Sequence, residues 1–231
     1  MNERNLSKRL QMVADLVPRQ SFLADIGSDH GYLPVHLLLN QQIIGAICGE
    51  VAPGPFAATK KEIEKAQMTE KISVRLADGL AAIFPADPIT AITICGMGGK
   101  LIADILEAGI NQLRPEMTLV LQPNNNQDLL RHWLSDHKYE LVQENITEEN
   151  GKIYEVMVAK KNPAATPLKE NEIFFGPLLL KEKSEIFIKK WRRNLQTKEK
   201  ILAQLKTGQV VEESKIARFQ QEIQWIKEWI K

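Results

Sequence analysis

The residues best suited to chemistry form one short turn, Asp25-Ile-Gly-Ser-Asp-His-Gly31, between an apolar stretch and the helix-like Leu33 to Leu39. A glycine-containing turn between a strand and a helix is typical of nucleotide-cofactor sites. Gly27 carries no Cβ, so a cofactor can approach its backbone closely. Asp29 stands where G-x-G-x-x-G has its middle glycine, and its carboxylate would repel a pyrophosphate. The turn therefore favours a cofactor without phosphates.

S-adenosylmethionine meets this requirement. It has no phosphate and carries a sulfonium cation, so the carboxylates of Asp25 and Asp29 would be favourable near its methionine end. Ser28, between them in sequence, is a further candidate contact. The alternative is an acidic loop that only caps the following helix.

Two more acidic residues follow predicted strands. Glu50 ends Ala46-Ile-Cys-Gly-Glu50, where a carboxylate can accept hydrogen bonds from both ribose hydroxyls. Asp78 follows the next strand and is a candidate acceptor for an adenine amino group, with Gly79 giving access to the backbone. An isolated Asp-Gly would be only a turn, but acidic groups at three successive strand ends predict a binding site.

Later strand ends supply glycines and amides. In Cys95-Gly-Met-Gly-Gly-Lys100, bare backbone at Gly96 and Gly98 would let the cofactor methyl group meet its acceptor, and Met97 can pack on a ring. Asn124, within Gln122-Pro-Asn-Asn-Asn126, is a candidate contact to an acceptor base. A glycine cluster can also be a plain loop, and asparagine runs also make turns and cap helices.

His30 and Tyr32 are secondary candidates. Tyr32 would stack on a flipped base, although a tyrosine that opens a helix is as often a packing residue. His36, His132 and His137 have no partners at metal-ligand spacing, so no metal site is expected.

These residues need a sheet to bring them together. Five short apolar strands are predicted: Phe22 to Ile26, Ile43 to Cys48, Ile72 to Leu76, Ala91 to Cys95 and Met117 to Leu121. Helix-like stretches follow most of them, which predicts a mainly parallel, doubly wound α/β sheet covered on both faces. An amphipathic first helix ends at Pro18, with Leu6, Leu10, Val13 and Val17 on its apolar face and Arg4, Lys8 and Arg9 among its polar positions.

The sheet is predicted to end in a hairpin. Tyr139 to Glu144 and Ile153 to Ala159 are strand-like, and Asn150-Gly151 is a hairpin turn sequence. The two strands must therefore run antiparallel. This ending resembles the Rossmann-like sheet of class I methyltransferases, whereas a dinucleotide dehydrogenase more often continues with further strand-helix units.

The remaining chain predicts a small helical domain. The loop Lys161 to Pro167 contains two prolines, which places a boundary between a catalytic domain, 1–164, and a helical arm, 165–231. Ile188, Trp191, Leu195, Leu202 and Leu205 form one heptad seam, interrupted by Lys198, and Ile216, Phe219, Ile223, Ile226 and Ile230 form a second. A break at Thr207-Gly208 predicts an antiparallel, coiled-coil-like helical hairpin.

Charge is distributed unevenly along the 231 residues. Residues 1–167 hold 16 Lys and Arg against 20 Asp and Glu, while residues 168–231 hold 14 against 9. A basic arm is compatible with a nucleic-acid partner, although a solvated helical surface often carries as much charge.

No stretch approaches the roughly 20 apolar residues of a membrane helix, and no secretory signal is apparent, so a cytoplasmic protein is expected. The two cysteines, Cys48 and Cys95, lie in apolar runs and are expected as buried thiols.

Several longer motifs carry a family resemblance: Leu23-Ala-Asp-Ile-Gly-Ser-Asp-His-Gly-Tyr-Leu-Pro34, Gly49-Glu50, Arg75-Leu-Ala-Asp-Gly79, Ile92-Thr-Ile-Cys-Gly-Met-Gly-Gly-Lys100, Leu121-Gln-Pro-Asn124 and Phe175-Gly-Pro177. The chain resembles the bacterial tRNA adenine-N1 methyltransferases of the TrmK type, which modify position 22. The resemblance implies S-adenosylmethionine as cofactor, tRNA as partner, and a helical arm that helps to hold the tRNA. The chain is expected to need neither a metal nor a membrane and to be a monomer or weak dimer.

The expected reaction is in-line methyl transfer to N1 of a tRNA adenine, achieved largely by positioning. Asp29 would hold the exocyclic amino group of the base and offset the positive charge that grows on the ring. His30, Tyr32 and Asn124 are the side chains expected nearest the base. Alternatives are a methyltransferase for another RNA position or a small molecule, a noncatalytic RNA-binding module, and an NAD-dependent oxidoreductase.

Overall fold

Strands and helices alternate through the first two thirds of the chain. The computed structural model describes residue 3 and residues 5–207 and 213–230. Its strands are β1 Ser21–Ile26, β2 Ile43–Glu50, β3 Ile72–Leu76, β4 Ala91–Met97, β5 Thr118–Pro123, β6 Tyr139–Glu149 and β7 Lys152–Lys161. Its α-helices are α1 Lys8–Leu16, α2 Tyr32–Leu39, α3 Pro53–Lys65, α4 Gly99–Ala108, α5 Gln127–Asp136, α6 Glu170–Phe175, α7 Pro177–Glu182, α8 Glu185–Thr207 and α9 Glu213–Trp229.

The strands form one sheet in the order β3-β2-β1-β4-β5-β7-β6. Strands β1 to β5 pair in parallel, and β7 is antiparallel to both β5 and β6. The doubly wound sheet with a closing hairpin is thus confirmed. Asn150 and Gly151 both have positive φ, at 50° and 75°, as the two central positions of a type I′ turn require.

Both faces of the sheet are covered, as the apolar strands predict. Along β4, Ala91 packs in one buried cluster with residues of α1, α2 and α3, while Ile92 and Ile94 pack in another with residues of α4 and α5. Burying a single isoleucine contributes on the order of 2 kcal/mol, so the strand is held from both sides. The sheet is therefore a rigid base for the turns at its carboxyl edge.

The hairpin is longer than the sequence predicts. The β6 strand was expected to end at Glu144 but continues to Glu149, with Glu149 paired to Lys152. The added residues are mainly polar, because this part of the hairpin leaves the apolar core. Its tip instead contacts α1: Glu149 accepts a hydrogen bond from the main-chain nitrogen of Lys8, at 2.7 Å.

The tail folds as an antiparallel helical pair preceded by two short helices. Lys198, which interrupts the first seam, lies 2.5 Å from Glu222 on α9, and Lys227 lies 2.7 Å from Glu199. Thr207 is the last residue of α8, while Gly208, the other residue of the expected break, lies outside the described residues. Among residues 3, 5–207 and 213–230, no helix has the length and apolar character needed to cross a membrane.

A buried ionic cluster joins the tail to the sheet. Arg131 of α5 is fully buried and contacts Glu144 of β6 and Glu155 of β7, at 2.8 and 2.7 Å. Lys190 of α8 also contacts Glu155. Gly176 lies against this cluster with φ of 89°, and a Cβ there would come within 2.6 Å of the Arg131 guanidinium. This packing explains the Phe-Gly-Pro sequence between α6 and α7.

Candidate functional site

A cleft of about 390 Å³ opens at the carboxyl ends of β1, β4 and β5. Open α/β sheets bind their ligands at this edge. The cleft is lined by Arg9, Leu10, Asp25, Gly27, Ser28, Asp29, Leu33, Cys95, Gly96, Met97, Asn124 and Tyr154. Seven of the predicted site residues are therefore gathered around one space, from three separate strand ends.

Asp25 is the buried acid of the cleft. It is the penultimate residue of β1, is only 3% exposed, and its carboxylate accepts a hydrogen bond of 2.5 Å from the Thr93 hydroxyl. The Ser28 hydroxyl donates to the main-chain oxygen of Asp25 at 2.8 Å. Burial raises the pKa of Asp25 to about 6, against the hydrogen bonds from Thr93 and Ser28 and helped by the charge of Glu50.

Gly27 forms the open floor of the cleft. Its φ is 71°, and its nitrogen donates to the main-chain oxygen of Gly49 at 2.8 Å, which fixes the turn to β2. A Cβ on Gly27 would lie 2.2 Å from the Met97 methyl group. The turn after β1 and the turn after β4 can therefore face each other only across bare backbone.

Asp29 has a fixed backbone and an exposed side chain. Asp29 and His30 have positive φ, 42° and 76°, which is uncommon for residues other than glycine and occurs often at functional sites. The Asp29 nitrogen donates to Glu50 Oε1 at 2.9 Å, while its side chain is 87% exposed. Glu50, 5% exposed, also accepts from the Thr59 hydroxyl at 3.3 Å. Burial raises the pKa of Glu50, partly offset by these hydrogen bonds.

Asp78 and Gly79 lie around a neighbouring cavity rather than in the cleft. That cavity is also about 390 Å³ and has Leu101 and Ile105 of α4 on its other side. The main-chain nitrogen of Ala77 donates to the oxygen of Glu50 at 2.8 Å, so the ends of β2 and β3 are aligned. Asp25 and Asp29 therefore line the cleft and Asp78 lines the second cavity, while Glu50, at the end of β2, lines neither of them.

Asn124 braces the turn after β4. Its Nδ2 donates to the oxygen of Gly96 at 2.7 Å, its main-chain nitrogen donates to the oxygen of Met97 at 2.7 Å, and its Oδ1 accepts from Gln122 at 3.2 Å. Gly96 has φ of 76°, which this bracing maintains. Gly98 does not line the cleft and instead lies against Asn125, whose Oδ1 is 2.9 Å from the position of a Cβ.

His30 and Tyr32 stack on each other, with ring centroids 5.4 Å apart and an interplanar angle of 16°. Neither is among the residues that line the cleft. The His30 Nε2 lies 3.8 Å from the Asp29 carboxylate. The pair thus lies at the end of the turn, outside the lining of the cleft.

Sequence reasoning missed several contributors. Arg9 and Tyr154 line the cleft from α1 and β7, and Gln122 and Thr93 hold other residues of the cleft in place. Thr93, a polar residue in an apolar strand, was a usable sequence feature. Arg9 looked like any polar position of an amphipathic helix, so only the packing of α1 identifies it.

The cysteines are free thiols. Cys48 is buried and Cys95 is partly buried, and burial next to Asp25 raises both pKa values far above the ordinary range. In the part of the chain that the structure describes, no group of three His, Cys, Asp or Glu side chains could hold a metal ion.

Comparisons with known proteins agree on one family. The model of the tRNA (adenine(22)-N(1))-methyltransferase family matches residues 23–228. A tRNA (adenine(22)-N(1))-methyltransferase from Bacillus subtilis is 45% identical over 219 residues, which is 93% of this chain and 92% of the relative.

Solved structures agree over the whole fold. The B. subtilis m1A22 tRNA methyltransferase TrmK has a TM-score of 0.92 at 41% identity and covers 99% of this chain and 100% of its own. M. capricolum TrmK, solved with the cofactor product S-adenosylhomocysteine, has a TM-score of 0.84 at 28% identity, with 97% of both chains covered. The chain therefore belongs to the TrmK family of tRNA (adenine(22)-N(1))-methyltransferases, and its cofactor is S-adenosylmethionine.

Proposed function

We propose that the protein transfers the methyl group of S-adenosylmethionine to N1 of adenine 22 in tRNA. The observation that carries the proposal is the cleft itself. In a chain matched by the family model over residues 23–228, it gathers the buried carboxylate of Asp25, the exposed carboxylate of Asp29 and the bare backbone of Gly27 and Gly96 at one sheet edge.

Residues of the cleft and of the second cavity, together with Glu50 at the end of β2, fit this cofactor. Asp25 offers a carboxylate for a cationic group, and Gly27 leaves a cradle that a Cβ would fill. Glu50 would accept hydrogen bonds from the ribose hydroxyls, and Asp78, with Gly79, would recognise the adenine amino group. S-adenosylmethionine supplies an activated methyl group on a sulfonium, so the protein itself needs no covalent step.

Asp29 is the residue that we assign to the reaction. N1 of adenine has a lone pair and needs no general base, but its ring becomes cationic on methylation. A carboxylate beside the ring stabilises that charge more in the transition state than in the ground state. The Asp29 main-chain nitrogen donates to Glu50 Oε1 at 2.9 Å, so the backbone of the turn is held in place. The Asp29 carboxylate itself stays exposed at the edge of the cleft.

The other predicted base contacts have different roles in this proposal. Asn124 maintains the Gly96 turn through its amide, so its effect on the base would be indirect. His30 and Tyr32 form a stacked pair next to Asp29, and a base leaving its own stack would lie against the exposed ring of that pair. Ser28 contributes by bracing Asp25.

The direct test is methylation of a tRNA transcript followed by mapping of the modified nucleotide. We expect methyl incorporation that blocks primer extension at adenine 22 and disappears when that adenine is replaced by guanine. Equal methylation of the native and the guanine-22 transcript, or methylation of neither, would exclude the proposed position.

A second test isolates Asp29. Asp29→Ala should lower kcat by about 100-fold, the scale for a preorganised electrostatic contact, with S-adenosylhomocysteine affinity changed little. The kcat of Asp29→Asn should lie between those of the native protein and Asp29→Ala, because the amide can still hydrogen-bond but carries no charge. Full turnover in Asp29→Ala would remove Asp29 from the reaction.

The helical arm, 165–231, is proposed to hold tRNA through a basic groove of about 510 Å³ beside α8. Lys183, Lys189, Arg192 and Arg193 line it, with Glu185 as its single carboxylate. Glu148 pairs with Lys189 and Arg193, at 2.6 and 3.3 Å. Lys183 and Arg192 have no ion pair within the described ranges, so they are the cations best placed for phosphates.

Removing those two charges tests the arm. Lys183→Gln with Arg192→Gln should raise KM for tRNA and reduce the slope of log affinity against log salt by about 2, since each phosphate contact contributes about 0.9. Lys60→Gln with Lys61→Gln, two exposed lysines of α3, is the matched control and should leave the slope unchanged. An unchanged slope in the first variant would place the tRNA elsewhere.

The cytoplasmic location and the monomer or weak dimer remain predictions. Light scattering on the purified protein, from micromolar to tens of micromolar concentration, measures its mass in solution and so tests the predicted oligomeric state.

A further inference from the structure

Tyr154 is the single aromatic residue among the described residues that line the cleft. It is half-buried, and within the described ranges its hydroxyl makes no hydrogen bond and its ring stacks on no other aromatic ring. The stacked pair of His30 and Tyr32 lies outside the lining, so it is not the surface that a planar ligand meets inside the cleft. A tyrosine ring that lines a binding space without an aromatic partner of its own is a candidate for stacking on a ligand.

The strand register places Tyr154 on the side of the cleft away from the assigned cofactor contacts. Leu121 of β5 pairs with Met157 of β7, and continuing this antiparallel register brings Tyr154 level with Asn124, just past the end of β5. The cofactor contacts assigned above belong mainly to the ends of β1, β2 and β3, whereas β4, β5 and β7 lie on the other side of β1 in the sheet. A methyl acceptor therefore has its room over the ends of β4, β5 and β7.

Tyr154 is held by the same residues that hold the turn after β4. The Arg9 guanidinium lies over its ring, 5.7 Å from the ring centre. Gln122 Oε1 accepts hydrogen bonds from Arg9 Nη1 at 2.5 Å and from the main-chain nitrogen of Gly96 at 3.1 Å. On the neighbouring strand β6, the partner of Tyr154 is the buried Thr147. The ring is thus fixed relative to the Gly96 backbone, and a fixed ring loses little conformational entropy when a ligand stacks on it.

A purine base matches this surface. An adenine that leaves its own stack loses contact with its neighbours, and an aromatic side chain can replace part of that contact. In the proposed function Asp29 offsets the charge of the methylated ring, so the part left for Tyr154 is to hold the plane of the base. We propose that Tyr154 stacks on the target adenine inside the cleft and so positions its N1 for methyl transfer. This inference rests on the proposed function.

Substitutions at Tyr154 separate the ring from the hydroxyl. Tyr154→Phe keeps the ring and should retain kcat/KM for tRNA within about threefold, because the hydroxyl has no partner to lose. Tyr154→Leu removes the ring and should lower kcat/KM by about 10- to 100-fold, the scale of one base stacked on an aromatic side chain. Its affinity for S-adenosylhomocysteine should stay within about twofold of the native value. Lys160→Gln, an exposed change at the opposite end of β7, is the matched control and should behave as the native protein.

A tRNA that lacks the base at position 22 identifies what the ring contacts. Binding of intact and abasic tRNA is measured with S-adenosylhomocysteine present. Tyr154→Leu should weaken binding of the intact tRNA by about tenfold or more, and leave binding of the abasic tRNA within about twofold, because the ring then has no base to stack on. A general loss of folded protein would weaken both equally, so the comparison separates stacking from folding.

Four results would overturn the inference. An equal loss of affinity for both tRNAs would assign Tyr154 to another nucleotide or to the fold. A similar loss for S-adenosylhomocysteine would assign the ring to the cofactor. Full turnover in Tyr154→Leu would remove Tyr154 from the reaction, and a Tyr154→Phe variant as impaired as Tyr154→Leu would assign the effect to the hydroxyl. The proposed function fails by a different observation, namely that the native protein leaves adenine 22 unmethylated.

Discussion

Cofactor affinity should fall as the medium is acidified through the pKa of Asp25. This carboxyl group is buried at the end of β1, and burial raises its pKa from 3.8 to about 6. The folded, ligand-free protein therefore binds a proton there at a pH where an exposed aspartate is ionised. A bound ammonium favours the ionised form, so ligand binding must release that proton below about pH 6.

The size of the effect follows from the fraction of protein that is ionised. One unit below its pKa, about one carboxyl in eleven is ionised, whereas at pH 7.5 nearly all are. S-adenosylhomocysteine, whose ammonium stays charged throughout, should bind about tenfold more weakly at pH 5 than at pH 7.5, which is about 1.4 kcal/mol. The same shift has an opposite sign for folding: stability contributed by this group is highest at low pH and decreases as pH rises from about 4 to about 6.

Calorimetric titrations at pH 5.0 to 8.0, in two buffers with different ionisation enthalpies, measure both the affinity and the protons released. The perturbation is Asp25→Asn, which keeps an oxygen to accept from Thr93 but does not titrate. It should bind more weakly at pH 7.5 and lose most of the pH dependence, leaving only the part due to Glu50, whose pKa is also raised. Asp15→Asn, an exposed change on α1, should titrate as the native protein does. A native affinity that is the same at pH 5 and pH 7.5, or a tenfold dependence that survives in Asp25→Asn, would refute the reasoning.

Three substitutions test the packing around the cleft and the arm. Gly27→Ala places a Cβ 2.2 Å from a methionine methyl at a φ of 71° and should weaken S-adenosylhomocysteine binding at least about tenfold in titrations, whereas Gly54→Ala, in open space, should not. Gly176→Ala intrudes on the buried Arg131 cluster and should lower the free energy of unfolding in urea by about 3 kcal/mol or more, and a loss below about 1 kcal/mol would contradict that packing. Glu149→Ala removes a cap from α1 and should cost about 1 kcal/mol in the same assay, together with a measurable loss of S-adenosylhomocysteine affinity.

The core of the fold was predictable because each strand is a short apolar run with few competing interpretations. The β3 strand has the predicted bounds, β1, β2 and β4 differ by one or two residues at one end, and β5 differs by one residue at its start and two at its end. The outer part of β6 was not predictable, because residues 145–149 are largely polar and their pairing depends on a hairpin that leaves the core. The break between α6 and α7 was also missed, since it depends on Gly176 meeting a buried arginine that is distant in sequence.

The site was predictable where a residue follows a strand, because parallel strands end at the same edge. Asp25, Gly27 and Asp29 were predicted in this way, and all three line the cleft. The sequence did not reveal that Asp25 is buried while Asp29 is exposed, although the two are four residues apart. That difference follows from the contacts on each side of the turn. Glu50 binds the main-chain nitrogen of Asp29 and leaves its side chain exposed, whereas the carboxylate of Asp25 accepts a hydrogen bond from Thr93 inside the sheet. In the proposed function, this difference separates an acid that binds the cofactor from one that contacts the adenine.

The tip of the β6–β7 hairpin connects the two proposed binding surfaces. Glu149 caps α1 and thereby supports Arg9 in the cleft, and Glu148 pairs with Lys189 and Arg193 at the basic groove of α8. Both contacts come from the polar extension of β6 that the sequence pattern did not predict. Because a two-residue turn allows little independent movement of adjacent strands, the distance from cleft to groove is set by the hairpin and by the buried Arg131 cluster together. A tRNA that contacts both surfaces would therefore have to match this fixed distance between cleft and groove. In the proposed complex, that distance would limit which adenine reaches the cleft.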